Sequence, residues 1–150
     1  MLRQLKDRKM KRLHVHVGVS DLEAAIKYYS AMFGAEPVKV RDDYAKWAPE
    51  DLAVNFAVSK SCGCGGEGRG VGHLGVEVQS DDDLATLGTR LNGIEAPMRV
   101  DGDVSCCYAK SKKAWSEDPA GVRWELFRTY DESDALAPTQ IGEQSLKGFN

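Results

Sequence analysis

The segment Arg12–Gly34, RLHVHVGVSDLEAAIKYYSAMFG, decides the fold, because its hydrophobic period changes once and the whole pattern then recurs. Its first part alternates strictly. Val15, Val17 and Val19 fall on one face of a strand, and His14, His16 and Gly18 on the other. From Ser20 the period lengthens to that of a helix: Ser20 with Glu23 fits a capping box, Leu22, Ile26, Tyr29 and Phe33 form an apolar stripe, and Gly34 stops it. Three short strand-like segments follow, EPVKVR, YAKWAP and LAVNFAVS.

The same order returns from Gly72. In GHLGVEVQ, Leu74, Val76 and Val78 alternate with His73, Gly75 and Glu77. SDDDLATLGTRLNG then reads as a helix with Leu84, Leu87 and Leu91 facing in, followed by APMRV, SCCYAKSKKAW and VRWELFRTY as strands. His14 and His73 stand 59 residues apart, as do Gly34 and Gly93; Pro49 and Pro119 stand 70 apart, as do Asn55 and Glu125. YAKW at Tyr44 is echoed by YAK at Tyr108, and Trp47 and Trp115 repeat between the halves as packing residues. The chain is therefore expected to be α+β, two βαβββ modules sharing one core. Module 1 spans about 10–60, a glycine-rich linker about 61–71, and module 2 about 72–130, with a polar tail over 131–150.

Composition bounds the function. At 150 residues with 42% apolar and 29% charged residues, the chain is one ordinary globular domain. A net charge of -3 with scattered basic residues offers no face for nucleic acid. No apolar run has membrane-spanning length, and MLRQLKDRKMKR lacks a signal-peptide core, so a cytoplasmic location is expected. There the four cysteines should be reduced, and metal binding or catalysis comes before structural disulfides.

If the two sheets curl together, the non-helix faces line a common interior. His14 and His73 then project into it from equivalent strands, and Glu125 joins them, lying between Trp124 and Leu126, which point the other way. Two imidazoles and one carboxylate suit a divalent first-row metal and leave positions open for O₂ or substrate. A structural zinc site would be closed by four ligands, usually with thiolates. The bland alternative is two satisfied core histidines and a carboxylate paired with arginine. His16 rivals His14 as ligand, being on the same face, but the repeat matches it to Gly75 and reads it as a neighbour of the ligands; Glu77 also faces inward.

These residues resemble the vicinal-oxygen-chelate (glyoxalase, bleomycin-resistance and extradiol dioxygenase) superfamily, on LHVHVGVSDLEAAIKYYSAMFGAEP, GHLGVEV and DPAGVRWELF. The resemblance implies a paired-βαβββ domain with His14, His73 and Glu125 as metal and catalytic triad. Within it, SCCYAKSKKAWSEDPAGVRWELF, DDYAKW and VNFAVS are similar to organoarsenical carbon–arsenic lyases and cadmium-inducible proteins, over about residues 10 to 129. That implies Fe(II), or another divalent ion such as Ni, Co or Zn in its place, with O₂ as co-substrate. The substrate would be a trivalent organoarsenical such as methylarsenite, cleaved to arsenite and an oxidised carbon fragment. Methyl and aryl substrates, and a site held by one chain or completed in a homodimer, stay open.

Trivalent arsenic is thiophilic, and Cys106 with Cys107 match its two exchangeable positions. Neighbours on a regular strand point to opposite faces, so both sulfurs reach one atom only if the strand is broken there. The preceding DGDVS suggests such a break at a loop-to-strand junction, and Lys110, Lys112 and Lys113 would favour thiolates unless they form only a solvated face. Against the clamp stands a pair of which one cysteine is merely a buried small hydrophobe. Cys62 and Cys64, in CGCGGEGRG, are a further soft-metal or third-thiol candidate against a plain flexible connector, and Tyr108 a candidate pocket wall. The rival functions are a thiol-based cadmium or arsenite binder without catalysis, and another dioxygenase or glyoxalase-type reaction on the same triad.

Overall fold

The computed structural model describes residues 10–60, 69–132 and 139–140. The first repeat is β1 (Arg12–Gly18), α1 (Leu22–Phe33), β2 (Lys39–Arg41), β3 (Tyr44–Trp47) and β4 (Val54–Ser59). The second is β5 (Gly70–Glu77), α2 (Asp81–Gly93), β6 (Met98–Cys106), β7 (Ala109–Glu117) and β8 (Arg123–Glu132), with a short β9 at Thr139–Gln140. Both βαβββ units are present. Among the described residues the strands form one sheet in the order β2-β3-β4-β1-β5-β8-β7-β6-β9.

Leaving β9 aside, that order reads the same from either side of the β1/β5 junction. β1 and β4 are parallel, as are β5 and β8, while β1 and β5 meet antiparallel. His14 faces Gly75 and His16 faces His73 across this junction, so a pseudo-twofold relates residues 59 apart. The alternation of each first strand then does what the sequence required. Val15, Val17 and Val19 pack against the core under α1, and His14, His16 and His73 are buried on the opposite face.

The helix starts were partly misread. Asp21, not Ser20, caps α1, its carboxylate accepting from Ala24 N–H at 2.9 Å; Ser80 caps α2, accepting from Asp83 N–H at 3.1 Å. Gly34 ends α1 in the left-handed region at φ 61°, whereas α2 runs through Gly93 and the left-handed residue there is Glu95. The two cores also differ. Under α1, Tyr29, Phe33, Trp47 and Phe56 form an aromatic cluster; under α2 the buried residues are the smaller Val78, Leu84, Ala114 and Leu126.

The sheet curls until its edges meet. The Lys39 ammonium on β2 donates to the Tyr108 carbonyl at 2.8 Å, and the Tyr108 hydroxyl donates to Asp43, between β2 and β3. Tyr108 lies between β6 and β7 near the other edge, so these bonds close the concave face over the histidines.

Register corrects one equivalence. His16 pairs with Ala57, and Gly75, its mate 59 residues on, pairs with Glu125, so Ala57 and not Asn55 is the counterpart of Glu125. Likewise Lys46 pairs with Ala57 as Trp115 pairs with Glu125. Trp47 and Trp115 are thus not mates: Trp47 lies in the α1 core, and Trp115 stands edge-on to the His73 ring at 5.0 Å. The prolines mark loops, which drift in length more readily than paired strands.

Candidate metal and thiol site

His14 takes its place from β1 and its tautomer from β4. Its Nδ1 lies 3.1 Å from the Asn55 carbonyl oxygen, which only accepts, so Nδ1 carries the proton and Nε2 offers a lone pair. That Nε2 is 3.1 Å from Nε2 of His73, which is in turn 3.0 Å from Oε2 of Glu125. Two ligands at right angles on one ion, each at about 2.1 Å, stand about 3.0 Å apart. These are hydrogen-bond distances, and they also bring the three donor atoms close enough to share a small divalent cation. His73 Nδ1 is buried without a hydrogen-bond partner among the described residues, so the ring's polar contacts are all made at Nε2.

His16 is part of the cluster. His14, His16 and His73 present nitrogens within 4.8 Å of one another, and the three together form a group able to hold a divalent metal. Its Nε2, however, is engaged with the Ser59 hydroxyl at 2.8 Å. Asn55, besides orienting His14, donates to Glu77 at 3.0 Å, which gives that inward carboxylate a structural partner.

The electrostatics favour a cation. Burial lowers His14 to about 4, with the approach of His73 adding to it against the pull of Glu125; burial and the other two imidazoles lower His16 to about 3. Burial alone would raise the Glu125 carboxyl, but the Lys113 ammonium at 3.1 Å and the His73 hydrogen bond outweigh it and hold it well below the usual range. The lowered His14 and His16 imidazoles are neutral and the Glu125 carboxylate charged at pH 7, the forms in which such groups bind metal.

Both histidines titrate lower folded than unfolded, so the unfolded chain binds more protons on the acid side of the ordinary histidine value. Metal-free protein should hold its full histidine contribution above pH 6.5 and lose it as pH falls toward about 4. Thermal melts from pH 7.5 to 5 should show a falling Tm. A flat profile would mean that the histidines are not buried neutral.

One glycine lets the carboxylate sit where it does. A Cβ on Gly75 would lie 2.5 Å from the Glu125 carbonyl oxygen and 3.1 Å from its Cβ, both on the paired strand β8. Gly75→Ala should push β8 away, destabilising the fold by about 1–3 kcal/mol and weakening metal uptake through Glu125 displacement. Denaturant melts and metal titration of the variant check both effects.

The cysteine pair sits where the sequence did not place it. β6 continues through Asp101–Cys106, and SCCYAKSKKAW is not one strand but a hairpin. Cys106 pairs with Ala109, leaving Cys107 and Tyr108 as a two-residue turn, both left-handed at φ 53° and 59°. That is the geometry of a type I′ turn, whose usual residues are asparagine and glycine. Each side chain held there costs about 1–2 kcal/mol. The turn breaks strand alternation, and the two sulfurs stand 3.3 Å apart.

Cys106 is buried and in a disulfide that does not involve Cys107, against the expectation of four reduced cysteines. Burial pushes the Cys107 thiol up to about 12, overriding the pull of Lys113, so the nearby lysines do not make it a thiolate. Lys112 pairs instead with Asp81, and Lys110 with Asp131. Tyr108 is raised to about 12 by its hydrogen bond to Asp43, and works as a tether. Cys62 and Cys64 lie outside the described residues.

Both cysteines, His14, Lys113 and Glu125 line one cavity of about 30 Å³, room for a water or two. Sequence reasoning passed over Lys113 as one lysine of three. Its signal was parity, since it stands two residues from inward-facing Trp115 on an alternating strand.

Residues 11–126 match the Glyoxalase/Bleomycin resistance protein/Dioxygenase superfamily. A trivalent organoarsenical cleaving enzyme of Bacillus sp. (strain MD1) is 39% identical over 135 residues, covering 87% of this chain and 82% of its own. The cadmium-induced protein CadI of Mycobacterium bovis (strain ATCC BAA-935 / AF2122/97) is 34% identical over 143 residues, covering 91% and 92%. Among solved structures, the Mn(II)-bound glyoxalase of Novosphingobium aromaticivorans superposes with a TM-score of 0.58 at 15% identity, over 89% of this chain and 44% of its own. At that identity the likeness is one of fold.

Proposed function

Because the chain belongs to the glyoxalase/bleomycin resistance protein/dioxygenase superfamily, we propose that it is an Fe(II)- and O₂-dependent enzyme that cleaves the carbon–arsenic bond of trivalent organoarsenicals. One observation carries the reading: a vicinal cysteine pair lines the same small cavity as His14, His16 and Glu125. Metal chemistry alone has no need of two sulfurs 3.3 Å apart.

His14, His73 and Glu125 would hold the iron, and Cys106 with Cys107 the arsenic. His14 and His73 are the ligands assigned over His16, because their Nε2 atoms share the 3.0–3.1 Å chain with Glu125 and His16 is spent on Ser59. Iron held there would supply the one-electron redox chemistry that O₂ needs to react. The residues do the rest. With Cys106 reduced, two thiols displace the two hydroxyls of methylarsenite as water, each sulfur's proton leaving with the oxygen it replaces. A thiol pushed up to about 12 is thus no obstacle, since the hydroxyl leaving group takes the proton. The turn holds both As–S bonds on one side of the arsenic, which fixes the direction of its As–C bond.

The overall balance needs no outside reductant. Methylarsenite and O₂ have the atoms of formaldehyde and arsenous acid; carbon gives up four electrons, O₂ takes them, and arsenic stays trivalent. No helix among the described residues is long and apolar enough to cross a membrane, and the need for a reduced Cys106 accords with work in the cytoplasm.

The test is protein reduced with thiol, loaded with Fe(II) without oxygen, given methylarsenite, and then exposed or not to O₂. Arsenite and formaldehyde should appear together and only with O₂; their absence from stoichiometrically loaded protein would sink the proposal. The relative called cadmium-induced favours one rival, sequestration of a soft ion by the cysteine pair. That rival predicts tight thiol-dependent binding of Cd²⁺ with no product and no call for O₂.

A further inference from the structure

We propose that Lys113 is a positioning residue that confines Glu125 to one metal-binding oxygen and sets a cationic side chain beside the metal; this rests on the His14–His73–Glu125 assignment above. The two carboxylate oxygens of Glu125 are already divided between partners. Oε2 faces His73 Nε2 at 3.0 Å, and Oε1 faces Lys113 Nζ at 3.1 Å. Both side chains of the ion pair are buried, at 6% and 5% exposure, so water does not substitute for either partner.

Placement of the lysine is over-determined. Lys113 pairs with Phe127 on β8 and its ammonium lies 5.9 Å from that ring's centroid, while Trp115, two residues on, packs edge-on to His73. The lysine head therefore has little freedom to leave Oε1. A carboxylate beside a metal otherwise closes on it with both oxygens or one; a buried ammonium on Oε1 decides for one, and leaves a coordination position open.

Stability does not explain the pair. Replacing a buried ion pair by apolar residues of the same size is often neutral or stabilising, and this one lines the cavity shared with Cys107. Its charge does have a use there. A divalent ion with two neutral imidazoles and one carboxylate carries one net positive charge, and Lys113 makes it two. Anions entering the cavity, whether oxyanions or arsenic-bound thiolates, are drawn by both.

Co(II) in the full-length protein, with azide as probe, tests this apart from turnover. Wild-type Co(II) protein should bind azide with a change in its visible bands. Lys113→Met should weaken azide binding by at least about tenfold and shift the bands of the azide-free Co(II) protein, and Lys113→Arg should recover affinity to within about threefold. Unchanged azide affinity and bands in Lys113→Met, or no recovery with arginine, would overturn the proposal while leaving the triad standing. Wild-type protein that takes up no stoichiometric Co(II), or Glu125→Gln that takes it up undiminished, would overturn the triad and this inference together.

Discussion

Replacing either Cys106 or Cys107 with serine should cut arsenite release from methylarsenite by at least about 100-fold while leaving Fe(II) uptake within about threefold of wild type. A single sulfur still binds trivalent arsenic, but lets it rotate about the remaining bond. What is lost is orientation, and oriented contact is worth several orders of magnitude in rate. The turn makes the two cysteines unequal in stability. Cys107 sits at φ 53°, so Cys107→Gly should relieve about 1 kcal/mol of strain and still abolish release, whereas Cys106→Ser alters a buried position at 3% exposure. Gain of stability with loss of activity at one residue marks a position kept strained for function. Initial-rate assays beside denaturant melts measure both, and a Cys107→Gly protein that releases arsenite normally would remove the clamp from the account.

Metal uptake should separate the ligands from their neighbour. His14→Ala, His73→Ala and Glu125→Gln should each weaken Fe(II) or Co(II) binding by at least about 100-fold, and His16→Ala by less than about tenfold. The contrast is the point, because His14, His16 and His73 form a plausible trio by proximity alone. The 3.0–3.1 Å chain through Glu125 and the engagement of His16 with Ser59 favour the triad proposed above. Glu125→Gln carries a second effect, since Lys113 would be left buried beside a neutral amide, costing about 3–5 kcal/mol of stability. The histidine variants lack that complication, so agreement among the three is the criterion. Equal losses at His16 and Glu125 would favour the three-histidine site.

Much of this was legible before any coordinates, for identifiable reasons. The repeat was readable because strand alternation and helix periodicity are local, and both copies kept them: Val15 and Val17 in one, Leu74 and Val76 in the other. His14 and His73 followed at once, since a pseudo-twofold between β1 and β5 preserves their spacing. What failed was whatever depended on loops. Proline spacing matched Asn55 to Glu125, while pairing matches Ala57, a shift of two residues that keeps the face and so hid the error. The cysteine turn was unreadable by rule, because Cys-Tyr lacks the small or amide residues that announce left-handed turns. In the sequence Lys113 is one of three lysines beside the cysteines, either favouring thiolates or forming a solvated face, because a buried ion pair is fixed by tertiary contact that no local pattern encodes.

Arsenic K-edge absorption on reduced, Fe(II)-loaded protein with methylarsenite, kept free of oxygen, tests most directly whether the thiols hold substrate at the metal site. Two sulfur neighbours and one carbon per arsenic are expected in wild type, falling to one sulfur in Cys107→Ser. Arsenic with only oxygen and carbon neighbours, or a sulfur count indifferent to Cys107, would contradict the account.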